Sequence, residues 1–246
     1  MIFLCFSSKD VQEPLREVLH YVEKYELPVL YDPMRLSSED DYNLKSFNAG
    51  IEKADYAILL LTSNSVSSTC IQEEIHQICT RYEKRNIVIF PILYNLDSGG
   101  LPLQWRFLTK MMYYEVNQES EFFDICNHII CHILMNELNK YPFREIQTFI
   151  LQNQNIPLMN YPIRLLNAYS SVDDRNQKVK VSLLYALYTY IRSSYNIHVI
   201  PPFYYIGIHK LFDAARLRIS VDEREIIILE RLTLLMLNAV LFGHIK

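Results

Sequence analysis

Glycine is scarce in this chain, at five residues in 246. None of the five forms G-x-G-x-x-G or a phosphate-cradling P-loop, which disfavours a redox enzyme that holds NAD on a glycine-rich turn. Tryptophan occurs once. The five cysteines, at 5, 70, 79, 126 and 131, include no C-x-x-C pair. An odd count without a framework fits free thiols in a reducing compartment. Long apolar runs are also missing. The longest, residues 232–242, falls short of the ~20 residues that span a bilayer. Met1 leads directly into Ile2-Phe3-Leu4-Cys5-Phe6, with no basic leader and no small-residue cleavage site. The expectation is a cytoplasmic protein without a membrane partner. A net charge of −4 weighs against a nucleic-acid partner.

What is present is hydrophobic and unevenly charged. Half of the residues are apolar, ample for a large core. Residues 1–136 carry 11 Lys+Arg against 19 Asp+Glu, a balance of −8, and residues 137–246 carry 13 against 9, a balance of +4. The two parts also differ in periodicity, and Lys140-Tyr141-Pro142 marks a break between them.

The first part alternates strand and helix signals. Residues 2–6 form an apolar strand, and Ser7 or Ser8 can cap a helix with Asp10 in its first turn and Val11, Leu15, Val18, Leu19 and Val22 at helical spacing. Residues 27–31 are a second strand, ended by Pro33 in a polar loop over 32–41. A helix to about residue 53 follows, with Leu44, Phe47 and Ile51 on one face. Tyr56-Ala57-Ile58-Leu59-Leu60-Leu61 is apolar throughout, as in a central strand covered on both faces. Residues 87–94 are a fourth strand, with Pro91 predicting a bulge or an end to pairing, and residues 111–116 a short fifth. A helix over 122–138 closes the unit. This is a parallel array of about five strands with right-handed crossovers. Residues 143–151, 162–169, 178–195, 204–217 and 221–242 all show helical periodicity without strand alternation.

The segment Ser67-Ser68-Thr69-Cys70-Ile71-Gln72-Glu73-Glu74-Ile75 carries the most chemistry. It puts carboxylates in the first turns of a helix that follows a buried strand, and open α/β sheets bind ligands beyond the carboxyl ends of their strands.

Residues 1–136 resemble a Toll/interleukin-1 receptor (TIR) domain, of the bacterial NAD-cleaving defence type. Ile2-Phe3-Leu4-Cys5-Phe6-Ser7-Ser8-Lys9-Asp10 resembles the family's first box. The stretch 31–41 stands where the family has its BB loop, residues 57–63 with Ser68 resemble the apolar strand and paired serines before the active-site helix, and Ile89-Phe90-Pro91-Ile92 resembles a late strand with an internal proline. The expected fold class is therefore α/β, a flavodoxin-like parallel five-stranded sheet with flanking helices over 1–138, followed by an all-α domain over 139–246.

The family's signature is Trp-x-x-x-Glu followed by an aliphatic residue. Two registers fit, Thr69 with Glu73 or Cys70 with Glu74. In the family pattern the residues after Trp and after Glu are apolar and face the sheet. Here Ile71, Ile75 and Ile78 form that stripe. The register that follows gives the glutamate position to Glu74 and the tryptophan position to Cys70, a substitution that removes an aromatic wall. The resemblance implies cleavage of NAD at the nicotinamide–ribose bond, with NAD as substrate and no cofactor or metal. A carboxylate beside the ribose can hold the sugar and stabilise its oxocarbenium character. Nicotinamide is a good leaving group, so one glutamate can suffice.

By the same resemblance Phe6 borders the base or ribose, Ser7 hydrogen-bonds the substrate, and Arg35 meets a pyrophosphate or a neighbouring subunit. The products are ADP-ribose or a cyclic ADP-ribose-type signal, in anti-phage defence. Activation comes by homo-oligomer assembly through the TIR and helical domains, the latter also offering a place for a trigger or partner protein. Two other readings stay open. One is a non-enzymatic TIR interaction module, favoured by the missing tryptophan. The other is a nucleoside deoxyribosyltransferase-like enzyme, which shares the sheet and a glutamate. His128 and His132, at i and i+4, have metal-chelating spacing without a third ligand. Tyr185, Tyr188, Tyr190, Tyr195, Tyr204 and Tyr205 either pack a core or line a ligand pocket in the helical half.

Overall fold

The computed structural model describes residues 1–11, 14–31, 50–142, 144–195, 202–218 and 220–242. The chain divides into two compact units, 1–130 and 131–246, whereas the sequence suggests a boundary after residue 138.

The first unit is built on a five-stranded, all-parallel sheet in the order β2-β1-β3-β4-β5. The strands are β1 Ile2–Cys5, β2 Val29–Leu30, β3 Tyr56–Leu61, β4 Val88–Tyr94 and β5 Tyr114–Val116. Every residue of β1 and β3 is buried, as their unbroken apolar sequences require of strands covered on both faces. Side chains alternate across a strand. One face accordingly carries Phe3, Cys5, Ala57, Leu59 and Leu61 in a single core cluster with Ile71, Ile75 and Ile78.

Helix α1, Leu15–Lys24, buries Leu15, Val18 and Val22. It starts later than residues 7–11 suggest. Proline is poorly tolerated in a helix interior, and Pro14 stands at the N-cap, preceded by a 3-10 turn over Ser8–Asp10. A helical stretch at 50–53 precedes β3, and Gly50 lies so close to Leu30 that a Cβ there would come within 2.2 Å of it. The short helix α2, Ser63–Ser67, and the longer α3, Thr69–Glu83, follow β3. Helix α4, Phe122–Leu138, follows β5.

Pro91 does not end its strand, contrary to the sequence expectation. Pairing with β3 continues through Leu59↔Pro91 to Leu61↔Leu93. The ladder to β5 begins only at Ile92, so on that side no bond is lost to the proline's missing donor. The predicted loop over 32–41, including Arg35, and the helix positions Leu44 and Phe47 lie outside the described residues.

The second unit is helical: residues 131–138 of α4, then α5 Ile146–Asn153, α6 Asn160–Ser171, α7 Gln177–Ser194, α8 Pro202–Leu217 and α9 Glu223–Phe242. Helix α7 packs on α6 and α9 around Leu166, Leu184, Leu187, Ile191, Leu229 and Leu232, all buried. Gly207 lets α8 approach Leu134, whose Cδ2 would stand 3.3 Å from a Cβ there. Among the described residues, no helix is long and apolar enough to cross a membrane.

Candidate functional site

The strand order reverses direction between β1 and β3: β2 lies on one side of β1, and β3, β4 and β5 on the other. Crevices for ligands form at such switch points, beyond the carboxyl ends of the strands. Four chain segments converge here: the turn after β1, the end of β3, and the starts of α2 and α3.

Capping fixes the two helix starts. The Thr62 hydroxyl accepts from the backbone amides of Asn64 at 3.1 Å and Ser65 at 3.2 Å, and Ser65 Oγ accepts from the Thr62 amide at 3.2 Å, completing a capping box. Ser68 then caps α3, its hydroxyl accepting from the Ile71 amide at 3.4 Å. This starts α3 in the phase that turns Ile71, Glu74, Ile75 and Ile78 inward. The spacing i, i+3, i+4, i+7 is one helix face, so an acid occupies a position that geometry assigns to the core. Glu74 has no exposed surface, whereas its neighbour Glu73 faces solvent.

Glu74 meets the end of β1. The Cys5 thiol donates a hydrogen bond to its Oε2 at 3.1 Å, and both side chains are fully buried. Burying a carboxylate is costly unless it is hydrogen-bonded. An acid thus stands on a helix face that is otherwise apolar.

A second polar cluster ties the two strand ends together. Asp10 is 4% exposed. It accepts hydrogen bonds from Thr62 Oγ1 at 2.6 Å, Asn64 Nδ2 at 2.7 Å and Ser65 Oγ at 3.5 Å. Ser65 Oγ also donates to the Leu60 carbonyl at 2.9 Å. Hydrogen bonds to an ionised carboxylate are among the stronger ones, and these staple the turn after β1 to the start of α2. Asp10 is thus a structural tie, where the sequence suggests a first-turn helix residue.

Phe6 and Ser7 follow Cys5 in the chain, and Cys70 stands one turn before Glu74. Phe6 is fully buried, its ring 6.3 Å from that of Tyr31. Ser7 is buried and caps the 3-10 turn, accepting from the Lys9 amide at 3.4 Å. Cys70 is half-buried near the start of α3. Sequence reasoning missed Cys5, Thr62, Asn64 and Ser65. Strand alternation could have found Cys5, because it shares a face with Phe3 and therefore with the isoleucine stripe.

His128 sits edge-on to Tyr114 at 5.8 Å, and His132 Nδ1 lies 3.3 Å from the Asn136 amide nitrogen. Among the described residues, no group of three or more His, Cys, Asp or Glu is placed to hold a metal ion.

A five-stranded parallel sheet in this order, with a buried acid at its switch point, defines a flavodoxin-like α/β domain. Its family is narrower. The model of the TIR domain family matches residues 2–126, about half of the chain, and the protein belongs to that family. Among solved structures, it is similar to the TIR domains of the activated Roq1 resistosome directly recognizing the pathogen effector XopQ. That match has 16% identity and a TM-score of 0.44, and covers 54% of this chain and 98% of the other. No curated protein matches the chain.

Proposed function

We propose that this protein cleaves NAD at the nicotinamide–ribose bond, with Glu74 as the catalytic carboxylate, in an assembled state. The observation that carries the reading is the enclosed carboxylate of Glu74 beside Cys5 at the β1/β3 switch point, in a chain of the TIR family. A buried acid kept on an otherwise apolar helix face is a recognised mark of a functional group.

The chemistry asks little of the protein. The C1′–N bond breaks, its electron pair neutralises the pyridinium, and nicotinamide leaves without needing a proton. Positive charge develops on the ribose. The Glu74 carboxylate accepts from the ribose hydroxyls and stabilises that charge, more strongly in an enclosed site than in water. Addition of water to C1′ then gives ADP-ribose and a proton. Attack by a nucleophile of the same molecule gives a cyclic ADP-ribose-type signal instead. Cys70, in the tryptophan position, leaves the base less walled than an indole would. Phe6 and Ser7 contribute the floor beneath the ribose, and Arg35 serves the pyrophosphate or a neighbouring subunit. Anti-phage defence in a bacterial cytoplasm is the setting this chemistry suits, with NAD loss or a nucleotide signal as the output.

Glu74 exposes no surface, so a ribose reaches it only after its cover shifts. This favours activation by assembly, with the helical unit promoting oligomers or receiving the trigger. The same enclosure favours the second reading, a TIR interaction module without catalysis, in which Glu74 is structural.

The test is nicotinamide release from NAD by concentrated or artificially clustered protein, followed by chromatography, with Glu74→Gln and Glu73→Gln alongside. The expected result is release by wild type and Glu73→Gln, and a loss of roughly 100-fold or more in Glu74→Gln. Release unaffected by Glu74→Gln overturns the assignment. No release under any clustering condition favours the interaction module. The ribosyl products distinguish hydrolysis from cyclisation.

A further inference from the structure

The helical unit has an open cleft of about 300 Å³ between the end of α4, α5 and α9. That is within the range of small-molecule sites. Phe149, Leu234, Leu235 and Phe242 give it apolar walls, and Arg144 and Arg231 bring two guanidinium groups to its lining. None of the described residues that line it is acidic. Most of the tyrosines of α7 and α8 do not line it: Tyr188 and Phe212 pack at 5.2 Å within the core, and Tyr141, the one tyrosine of the lining among the described residues, has Tyr204 of α8 edge-on behind it at 5.7 Å.

The guanidinium of Arg231 is held in place by its own unit. Nη1 donates to Asn139 Oδ1 at 2.8 Å and contacts Met135 Sδ at 3.2 Å, and Nη2 donates to the Leu138 carbonyl at 3.2 Å. These hydrogen bonds also satisfy the C-terminal end of α4, where orphan carbonyls collect. The result is a fixed cation rather than a free-swinging one. Arg144 Nη1 donates to Gln152 Oε1 at 3.0 Å, also a neutral partner. Burial opposes the charge of Arg231, and Glu230 supports it. An anion in the cavity would support it further.

We infer that this cavity is a binding site for a small organic anion, an acid group on an apolar body, with the acid on Arg231 and Arg144 and the body against Phe149, Leu234 and Leu235. A guanidinium fork suits a carboxylate, sulfonate or phosphate better than a neutral group. Positively charged ligands are disfavoured by repulsion, and a neutral apolar ligand gains nothing from the two guanidinium groups. The site lies wholly in the helical unit and does not depend on the NAD reading.

The test uses the full chain and two fluorescent probes of the same shape, anilinonaphthalene sulfonate and its neutral analogue phenylnaphthylamine. The expected result is one-site saturation by the sulfonate, with a Kd on the order of tens of micromolar for a ligand of that size. The neutral analogue binds about tenfold more weakly or worse. Leu235→Trp, which fills the cavity, abolishes sulfonate binding. Arg144→Gln, an exposed position that the fold does not depend on, weakens the sulfonate several-fold and leaves the neutral probe unchanged. Arg231→Gln, checked for folding by circular dichroism, has a larger effect in the same direction. Decanoate displaces the sulfonate and decanol does not. Equal affinity for the two probes, or sulfonate binding indifferent to both Leu235→Trp and Arg144→Gln, overturns the proposal.

Discussion

The Cys5 thiol donates to the Glu74 carboxylate across 3.1 Å, joining the end of β1 to the second turn of α3 between two side chains with no exposed surface. A structural acid and a catalytic acid in this position make opposite predictions. If Glu74 stabilises the fold, removing it costs stability. If it is held there for chemistry, replacing it with an apolar side chain of similar length relieves a desolvated charge. Glu74→Met is expected to raise Tm by a few °C while abolishing nicotinamide release. Cys5→Ala, which removes one hydrogen bond to Glu74 Oε2, is expected to cost about 1–3 kcal/mol, and Cys5→Ser less. Urea titration of the three variants measures both effects. A Glu74→Met variant less stable than wild type by more than ~2 kcal/mol makes the acid structural.

The cysteines are expected to separate by reactivity. Burial pushes the Cys126 thiol up to about 12, with Glu17 adding to it, and Cys79 up to about 12, with Glu83 adding. Burial also raises Cys131. A thiol at about 12 carries ~1000-fold less thiolate at a given neutral pH than one at the ordinary value of 9.0. Cys70 is half-buried beside the candidate site. Iodoacetamide at pH 8, followed by peptide mass spectrometry, should label Cys70 well before Cys126 and Cys131. NAD should slow that labelling in clustered protein. Labelling of Cys126 as fast as Cys70 contradicts the packing of α4.

The helix phase of α3 is legible, because Ile71, Ile75 and Ile78 repeat at helical spacing and a Ser precedes them. Choosing Glu74 over Glu73 followed from that stripe, and the structure buries the first and exposes the second. Strand β3 was legible residue for residue, since a continuous apolar run admits few alternatives. The helices α5 to α9 of the second unit are legible from their periodicity, with ends shifted by up to three residues. The errors have specific causes. The apolar spacing from Val11 runs across Pro14 without interruption, which hides the break before α1. Asp10 does stand in the first turn of a helix that Ser7 caps, a 3-10 turn rather than α1, but its partners Thr62, Asn64 and Ser65 lie more than fifty residues away and leave no local signal. The family's first box points to Phe6 and Ser7, whereas only the alternation of β1 points to Cys5.

In the helical unit, Arg218 makes a bidentate ion pair with Glu225, Nη1 to Oε2 at 3.0 Å and Nη2 to Oε1 at 2.6 Å, and Glu225 is 3% exposed. Breaking such a pair from one side leaves a buried charge. Arg218→Met is expected to destabilise by about 3–5 kcal/mol, and the double change with Glu225→Leu to recover most of that. Denaturant unfolding of the two variants checks it. An equal loss in both indicates that packing of the arginine stem, rather than the charge, matters.

Glu230 gives the same unit a pH dependence of known sign. Burial raises its pKa above the ordinary 4.5, outweighing the lowering effects of the Tyr169 hydrogen bond, Lys180 and Arg231. The Tyr169 hydroxyl donates to Glu230 Oε2 at 2.7 Å, and its own pKa is raised by burial and by Glu230. The folded state therefore holds this carboxyl's proton more tightly than the unfolded chain does. Between 4.5 and the raised value stability falls as pH rises, and above that window the cost is fully present. Glu230→Gln should be more stable than wild type at pH 7, and the advantage should vanish as pH falls through the window. Urea midpoints across pH 4–7 measure it. An advantage that grows on acidification contradicts the assignment.

The sheet order also dictates a schedule. Strand β1 lies between β2 and β3, with Ile2 opposite both Val29 and Tyr56. Its two flanks are 27 and 54 residues further along the chain. Non-local parallel pairing of this kind is slow, because a long loop must close before any bond rewards it. On the ribosome, the apolar stretch from Ile2 to Phe6 therefore emerges well before anything that covers it. Glu74 reaches Cys5 later still, after β3, α2 and the first turns of α3 have been made. A truncated or stalled nascent chain would present an uncovered apolar strand, the kind of surface that makes incompletely folded species prone to aggregate.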